Sequence, residues 1–393
     1  MLKNKKVNYI INSIKNSLKQ KNREEISLHE PFFDKSETNQ INECIKNRSV
    51  STAGFYTKKF EEKIKKITKA KYAIATINAT SAIHLALVAL KVKSNDEVLL
   101  PALNFVASAN ACLYVGAVPH FVDVEYETLG IDGKKLEQYL SQRTIFKNGY
   151  CYNKKTKRPI RAIICMHTFG HPNNLDLIKK ITKKYKLFLI EDAAAALGSY
   201  YKKRHVGTFG DIGIISFNGN KIITTGGGGV SITNKKKYAK RLQLLASIQK
   251  KPHPWKYEYK QLGYNFKMPS LNASLGLAQL KKLNYYLKAK RKIYKNYNKC
   301  FKNNKYFFLF SEPKNCKSNY WLQTIIINKD LKNKRDIIAT FANKKGLKIR
   351  PVWKPLNKLS YLNNFPKMNL SVSNDLEKRI INLPSSASLA NKI

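Results

Sequence analysis

Lys221 closes the segment Ser216-Phe217-Asn218-Gly219-Asn220-Lys221, and after Ile222-Ile223-Thr224-Thr225 come four glycines, Gly226 to Gly229. A lysine just past an apolar strand (Ile212 to Phe217), beside glycines that let backbone approach a ligand, suits an amine that captures an aldehyde as a Schiff base. Upstream, the apolar run Leu187-Phe188-Leu189-Ile190 leads into Glu191-Asp192-Ala193-Ala194, so a carboxylate stands at the carboxyl end of a strand. Lysine and strand-end aspartate are the minimum for pyridoxal phosphate. The aspartate keeps the ring nitrogen protonated, so that the ring withdraws electrons, and the lysine holds the cofactor and moves protons.

Such a cofactor also needs a phosphate cradle, and Asn78-Ala79-Thr80-Ser81-Ala82 offers one. The strand Ala73 to Ile77 ends there and an apolar helical run begins (Ala82, Ile83, Leu85, Ala86, Val88, Ala89), which places Thr80 and Ser81 at a helix N-terminus. Free N–H groups and the helix dipole favour an anion at that point. Ser216 adds a second hydroxyl for the same phosphate.

The elements that must position these residues alternate between strand and helix in the α/β manner. Strands are expected at 73–77, 97–101, 118–124, 161–166, 187–191, 212–217 and 228–233. They predict a seven-stranded, mainly parallel sheet with helices on both faces, whose ligands lie beyond the strand carboxyl ends. Past residue 250 the pattern changes to one long helix from Ser270 to about Lys302, a strand at 322–327, a helix near 333–345 and a short strand ending at Arg350. A smaller C-terminal α/β domain follows. The expected divisions are an N-terminal helical arm (1–30), a large cofactor-binding domain (31–250) and a small domain (251–393).

Composition supports an enzyme. The chain has 393 residues, 43% of them hydrophobic, which is enough for a large core. Its formal net charge of +48 points at first to nucleic acid or a membrane surface. The excess is mostly lysine, dispersed among Asn, Ile and Tyr, whereas base readout favours arginine. No nucleic-acid or membrane partner is therefore expected, although dispersed lysines would concentrate an anionic substrate. Val7, Ile10, Ile11, Ile14 and Leu18 fall at helical intervals among lysines, an amphipathic helix rather than a signal peptide. The stretch from Val98 to Val118 is uncharged, yet Pro101, Asn104, Ser108, Asn110 and Gly116 make it a strand, a cofactor-facing loop and a buried helix. Six cysteines without CxxC or metal-ligand spacing read as reduced thiols of a cytoplasmic protein with no metal site.

Four segments in register, Ala79-Thr80-Ser81-Ala82, Glu191-Asp192-Ala193-Ala194, Ser216 to Lys221 and Gly263-Tyr264-Asn265-Phe266-Lys267-Met268-Pro269, resemble the sugar-nucleotide aminotransferases of the DegT/StrS family from about residue 28 onward. The resemblance implies a fold-type-I pyridoxal phosphate enzyme with one antiparallel strand near the lysine, working as a homodimer with shared active sites. It carries the Schiff-base role to Lys221, the pyridine-nitrogen partner to Asp192 and the phosphate contacts to Thr80, Ser81 and Ser216. Phe105 takes the ring stacked on the cofactor, and Asn265 the asparagine that reaches the neighbouring subunit's phosphate. Ala195 departs from the usual Gln, Glu or His, and Lys267 from the usual Arg.

Within the family, the segments around His167, His253 and Arg350 are most similar to the branch that aminates C4 of 4-keto-6-deoxy-N-acetylhexosamine nucleotides, of the legionaminic acid and bacillosamine type. The implied reaction moves an amino group from L-glutamate to a UDP- or GDP-linked keto sugar by way of pyridoxamine phosphate, for bacterial surface-glycan biosynthesis. His167, His253 and Arg350 are the substrate-side candidates, with strand-end capping or packing as the competing roles. Glu191 reads as a structural carboxylate. C3 amination of another keto sugar remains open. A keto-sugar dehydratase on the same fold would carry histidine in place of Lys221, and a basic regulatory protein would leave the lysine, aspartate and phosphate set without a purpose.

Overall fold

Runs of β-branched and aliphatic residues bounded by turns build the central sheet of the computed structural model, which describes residues 2–18, 24–52, 54–250, 253–259 and 261–390. Seven strands lie in the order Tyr72–Thr76, Gly229–Thr233, Ile212–Ser216, Phe188–Asp192, Pro159–Met166, Glu97–Pro101 and Val118–Val122. Each lies within a residue or two of its expected place. Gly229–Thr233 pairs antiparallel with both neighbours and the other pairings on this path are parallel, so the one reversed strand does lie beside the lysine segment. Most of these strands are buried along their whole length, as expected when helices cover a parallel sheet.

Two features differ from expectation. The sheet has nine strands, because Thr144–Lys147 and Tyr150–Asn153 form a hairpin that pairs through Cys151 with Ile160. Its outer strand is exposed after Thr144, so it lacks the apolar run that marks the others. The long helix after Ser270 is two helices, Ser270–Lys281 and Leu283–Phe301. They break at Lys282, whose ψ is 0° and whose ammonium bridges Asp34 and Glu37 at 2.7 Å each.

A second, antiparallel sheet follows in the order Phe307–Leu309, Gln323–Ile327, Ile380–Leu383 and Arg350–Pro351. The N-terminal helix Leu2–Leu18 buries Val7, Ile10, Ile11, Ile14 and Leu18, as its spacing requires, against the helices Leu283–Phe301 and Arg335–Lys344. Met1 and residues 19–23 of the expected arm lie outside the described residues, as do Lys251 and Pro252 beside His253. Among the described residues no helix is long and apolar enough to cross a membrane.

Candidate active site

The carboxyl ends of the parallel strands open into a cavity of about 710 Å³ that also borders the second sheet. Thr80, Phe105, Asp192, Ser216, Lys221 and Arg350 all line it. Residues far apart in sequence thus converge on one chamber, as strand-end positions in an open α/β sheet predict.

Asp192 ends its strand buried. Its Oδ1 accepts from the Ala194 N–H at 3.1 Å and its Oδ2 from the Ser108 hydroxyl at 3.0 Å. Burial raises its pKa, and these hydrogen bonds together with the charge of Lys221 offset only part of that rise. Lys221 is shifted the opposite way. Desolvation lowers its amine to about 8, against the pull of Asp192. Each group is pushed toward its neutral form by burial. A protonated pyridine nitrogen would supply the countercharge Asp192 lacks, and an amine near 8 is partly neutral, hence nucleophilic, at physiological pH. The residues present therefore fit pyridoxal phosphate.

The lysine is also held from the side. Its Nζ lies 3.8 Å from the centre of the Trp321 ring, and the Trp321 Nε1–H donates to the Asn220 carbonyl at 2.6 Å. Trp321 and Ser108 were not singled out from sequence, because their roles depend on contacts across more than eighty positions.

At the phosphate end, the helix Ala79–Ala89 begins at Asn78, whose Oδ1 accepts the Ser81 N–H at 2.7 Å. Ala79 and Thr80 line the cavity; Ser81 is buried and does not. The cap takes the Ser81 N–H but does not engage its hydroxyl. The glycine run has a packing role. A Cβ on Gly229 would stand 2.5 Å from the Asn78 carbonyl, and one on Gly228 2.1 Å from Thr225 Oγ1. These glycines let the reversed strand pass against the phosphate helix and its own turn, and Gly228 also lines the cavity.

The substrate-side candidates separate. Arg350 is exposed at the cavity. His167 is fully buried and absent from the lining, with Nε2 3.2 Å from Glu191 and Nδ1 accepting the Asn173 N–H at 3.2 Å. Both ring nitrogens of His167 are thus engaged by the scaffold. Glu191 holds that scaffold as expected, accepting N–H groups of Gly207, Phe209 and Gly210 at 2.6–2.7 Å. Burial would raise its pKa, but His167 and these donors hold it below the usual range. His253 lies outside this chain's cavity, where its Nδ1 accepts from the Trp255 and Lys256 N–H groups. Asn265 is exposed and bridged to Ser247, also away from the cavity. Phe105 lines the cavity, 53% exposed, with its ring 6.1 Å from that of Trp353.

Comparison with known proteins agrees with this geometry. Residues 31–392 match the DegT/DnrJ/EryC1/StrS aminotransferase family. Over 368 residues the chain is 35% identical to the GDP-perosamine synthase of Escherichia coli O157:H7, covering 93% of this chain and 95% of that protein. It is 32% identical over 331 residues to a UDP-4-amino-4,6-dideoxy-N-acetyl-beta-L-altrosamine transaminase of Campylobacter jejuni, covering 84% of each. Among solved structures it is similar to Helicobacter pylori PseC, an aminotransferase involved in the biosynthesis of pseudoaminic acid, with a TM-score of 0.83, 25% identity, and coverage of 93% and 97% of the two chains.

Proposed function

The chain belongs to the DegT/DnrJ/EryC1/StrS aminotransferase family and is a pyridoxal phosphate-dependent sugar-nucleotide aminotransferase, and from that premise we propose that it transfers the amino group of L-glutamate to C4 of a nucleotide-linked 4-keto-6-deoxy sugar. The observation that carries the chemistry is the pairing of Lys221 and Asp192 in one cavity, each displaced toward its neutral form. The position and the acceptor class are supported by the 4-amino-4,6-dideoxy sugar in the name of the Campylobacter relative.

When bound, pyridoxal phosphate supplies an electron sink through its protonated ring nitrogen. The rest is done by the chain. Asp192, fixed by Ser108 and the Ala194 N–H, presents a carboxylate to that nitrogen and holds its proton. The free N–H groups at the start of the helix Ala79–Ala89, with the Thr80 and Ser216 hydroxyls, bind the phosphate. Phe105, at the cavity wall, would cover one face of the ring. Lys221 would hold the group through Nζ, and its amine, partly neutral near pH 8, would serve as the base that moves a proton to or from the substrate carbon. Trp321 would hold the amine in place through the contact of its ring with Nζ.

The site is completed by a second copy of the chain. The strip that carries Asn265 also exposes Trp255, Tyr257 and Leu262 at 73–77%, an apolar surface that a homodimer would cover. On this reading Asn265 reaches the partner's phosphate and His253 the partner's substrate. A division at about residue 250 fits the nine-stranded sheet before it and the four-stranded sheet after it, although a small third sheet crosses it by pairing Cys316–Lys317 with Tyr200–Tyr201. The six free cysteines suit a cytoplasmic setting.

The test adds L-glutamate to the cofactor-loaded protein and follows the absorbance change that marks amino transfer to the cofactor. A panel of UDP- and GDP-linked 4-keto-6-deoxy sugars, with and without an N-acetyl group, is then supplied as acceptor. Conversion of one of them to the 4-amino sugar supports the reading. A glutamate response with no acceptor turned over rejects the acceptor class, and no response to any amino donor rejects transamination.

A further inference from the structure

His29 lines the cavity, yet both of its ring nitrogens are sealed from water without a hydrogen-bond partner among the described residues. Among the described residues only Asn104 shares that double vacancy, and Asn104 is not on the cavity. Leaving a buried donor and acceptor unpaired costs free energy, so such a side chain is expected to meet its partner when a ligand arrives.

The backbone around His29 is fixed with care. The Ile26 N–H donates to the Gly346 carbonyl at 2.7 Å and the Lys348 N–H to the Ile26 carbonyl at 2.9 Å, a short parallel pairing. On the other side the Ser385 N–H donates to the Leu28 carbonyl at 2.7 Å, and the Glu30 N–H to the Ser386 hydroxyl at 2.8 Å. Lys290, itself fully buried, donates to the carbonyls of both Trp321 and Ser385. One ammonium thus ties the ring beside Lys221 to the segment that holds His29. All of residues 24–30 precede the start of the family match at residue 31.

The chemistry of the missing partner follows from the surroundings. Desolvation is the main cause that keeps the imidazole uncharged; the buried amines of Lys290 and Lys221 act in the same direction to the extent that they are protonated. An uncharged imidazole has one donor and one acceptor; a hydroxyl or an amide can satisfy both nitrogens, whereas a carboxylate or phosphate pairs only with the N–H. Anionic groups have better hosts in the same cavity at Lys348 and Arg350. We propose that His29 is a specificity-determining residue of the acceptor site, giving one hydrogen bond to the hexose of the nucleotide-linked sugar and accepting another from it. The proposal rests on the acceptor class argued above.

Calorimetric titration of the cofactor-loaded protein with UDP, GDP, UDP-glucose, UDP-N-acetylglucosamine and GDP-mannose tests it. His29→Leu should weaken the preferred nucleotide sugar by about tenfold, as for loss of one to two hydrogen bonds, while the matching diphosphate binds as before. His29→Gln, which keeps a donor and an acceptor, should recover most of the loss. Weakening confined to UDP-N-acetylglucosamine identifies the acetamido group as the partner, and weakening of UDP-glucose or GDP-mannose identifies a ring hydroxyl. Since the His29 ring makes no hydrogen bond among the described residues, the Leu variant should melt no lower than wild type; a lower melting point, or equal loss for sugar and diphosphate, would mean a structural role and overturn the proposal. Sugar binding indifferent to His29 overturns it alone, whereas wild-type protein that binds none of the nucleotide sugars overturns the acceptor class with it.

Discussion

A Cβ on Gly229 would lie 2.5 Å from the carbonyl of Asn78 and 2.6 Å from the Ala79 nitrogen, so the reversed strand of the sheet presses directly on the first peptide of the phosphate helix. Strand and helix start are set against each other by the absence of one carbon. The cradle's geometry is therefore a property of the strand behind it as much as of the helix.

Gly229→Ala should displace the Asn78–Ala79 peptide, costing about 1–3 kcal/mol of stability by overpacking and weakening cofactor binding by about tenfold or more. Gly227→Ala is the contrast. Its Cβ would meet the Ile77 carbonyl at an ordinary 3.7 Å, so its stability should stay within about 0.5 kcal/mol of wild type. Urea denaturation of the two apoproteins and cofactor titration check both statements. Equal effects would mean that the glycine run has some other purpose.

Asp192→Asn should divide stability from function. The folded-state pKa of Asp192 is raised, so its ionised form is penalised in the apoprotein. That penalty is complete above the raised value and vanishes below the ordinary carboxylate range near 4. The Asn variant should melt above wild-type apoprotein at pH 7, and the gap should close as pH falls. With cofactor bound the order reverses, and glutamate conversion should slow by about a hundredfold or more, because the ring nitrogen loses its proton. Scanning calorimetry across pH and single-turnover spectroscopy measure the two halves; an apoprotein destabilised at pH 7 would contradict the electrostatic account of this site.

A shared site predicts complementation. Mixing Lys221→Ala chains with Asn265→Ala chains should restore activity in the heterodimer, since one of its two sites carries neither defect. Absence of recovery despite demonstrated subunit exchange, or full activity in a sedimenting monomer, would remove Asn265 from the site.

Much of this was legible in the sequence because it is local. The seven principal strands are apolar runs bounded by turns, and Lys221, Asp192 and Thr80 each stand at a strand's carboxyl end, where topology alone delivers them to one crevice. What escaped depends on distant partners. Ser81 sits at the helix start that was predicted, but whether its N–H is free depends on the rotamer of Asn78. His167 closes a strand beside the crevice, and only the neighbouring strand reveals Glu191 as its partner. Trp321 and His29 belong to the turn before the strand Gln323–Ile327 and to the N-terminal segment, whose approach to Lys221 no periodicity encodes.

The central claim is that Lys221 is the amine that holds the cofactor and moves the proton. Borohydride reduction of the yellow holoprotein, followed by peptide mass mapping, should place a phosphopyridoxyl group on the peptide bearing Lys221. Lys221→Ala should remain folded, keep phosphate-dependent cofactor affinity and lose turnover by about three orders of magnitude or more. A label on any other lysine, or near-normal turnover in the alanine variant, would contradict the account.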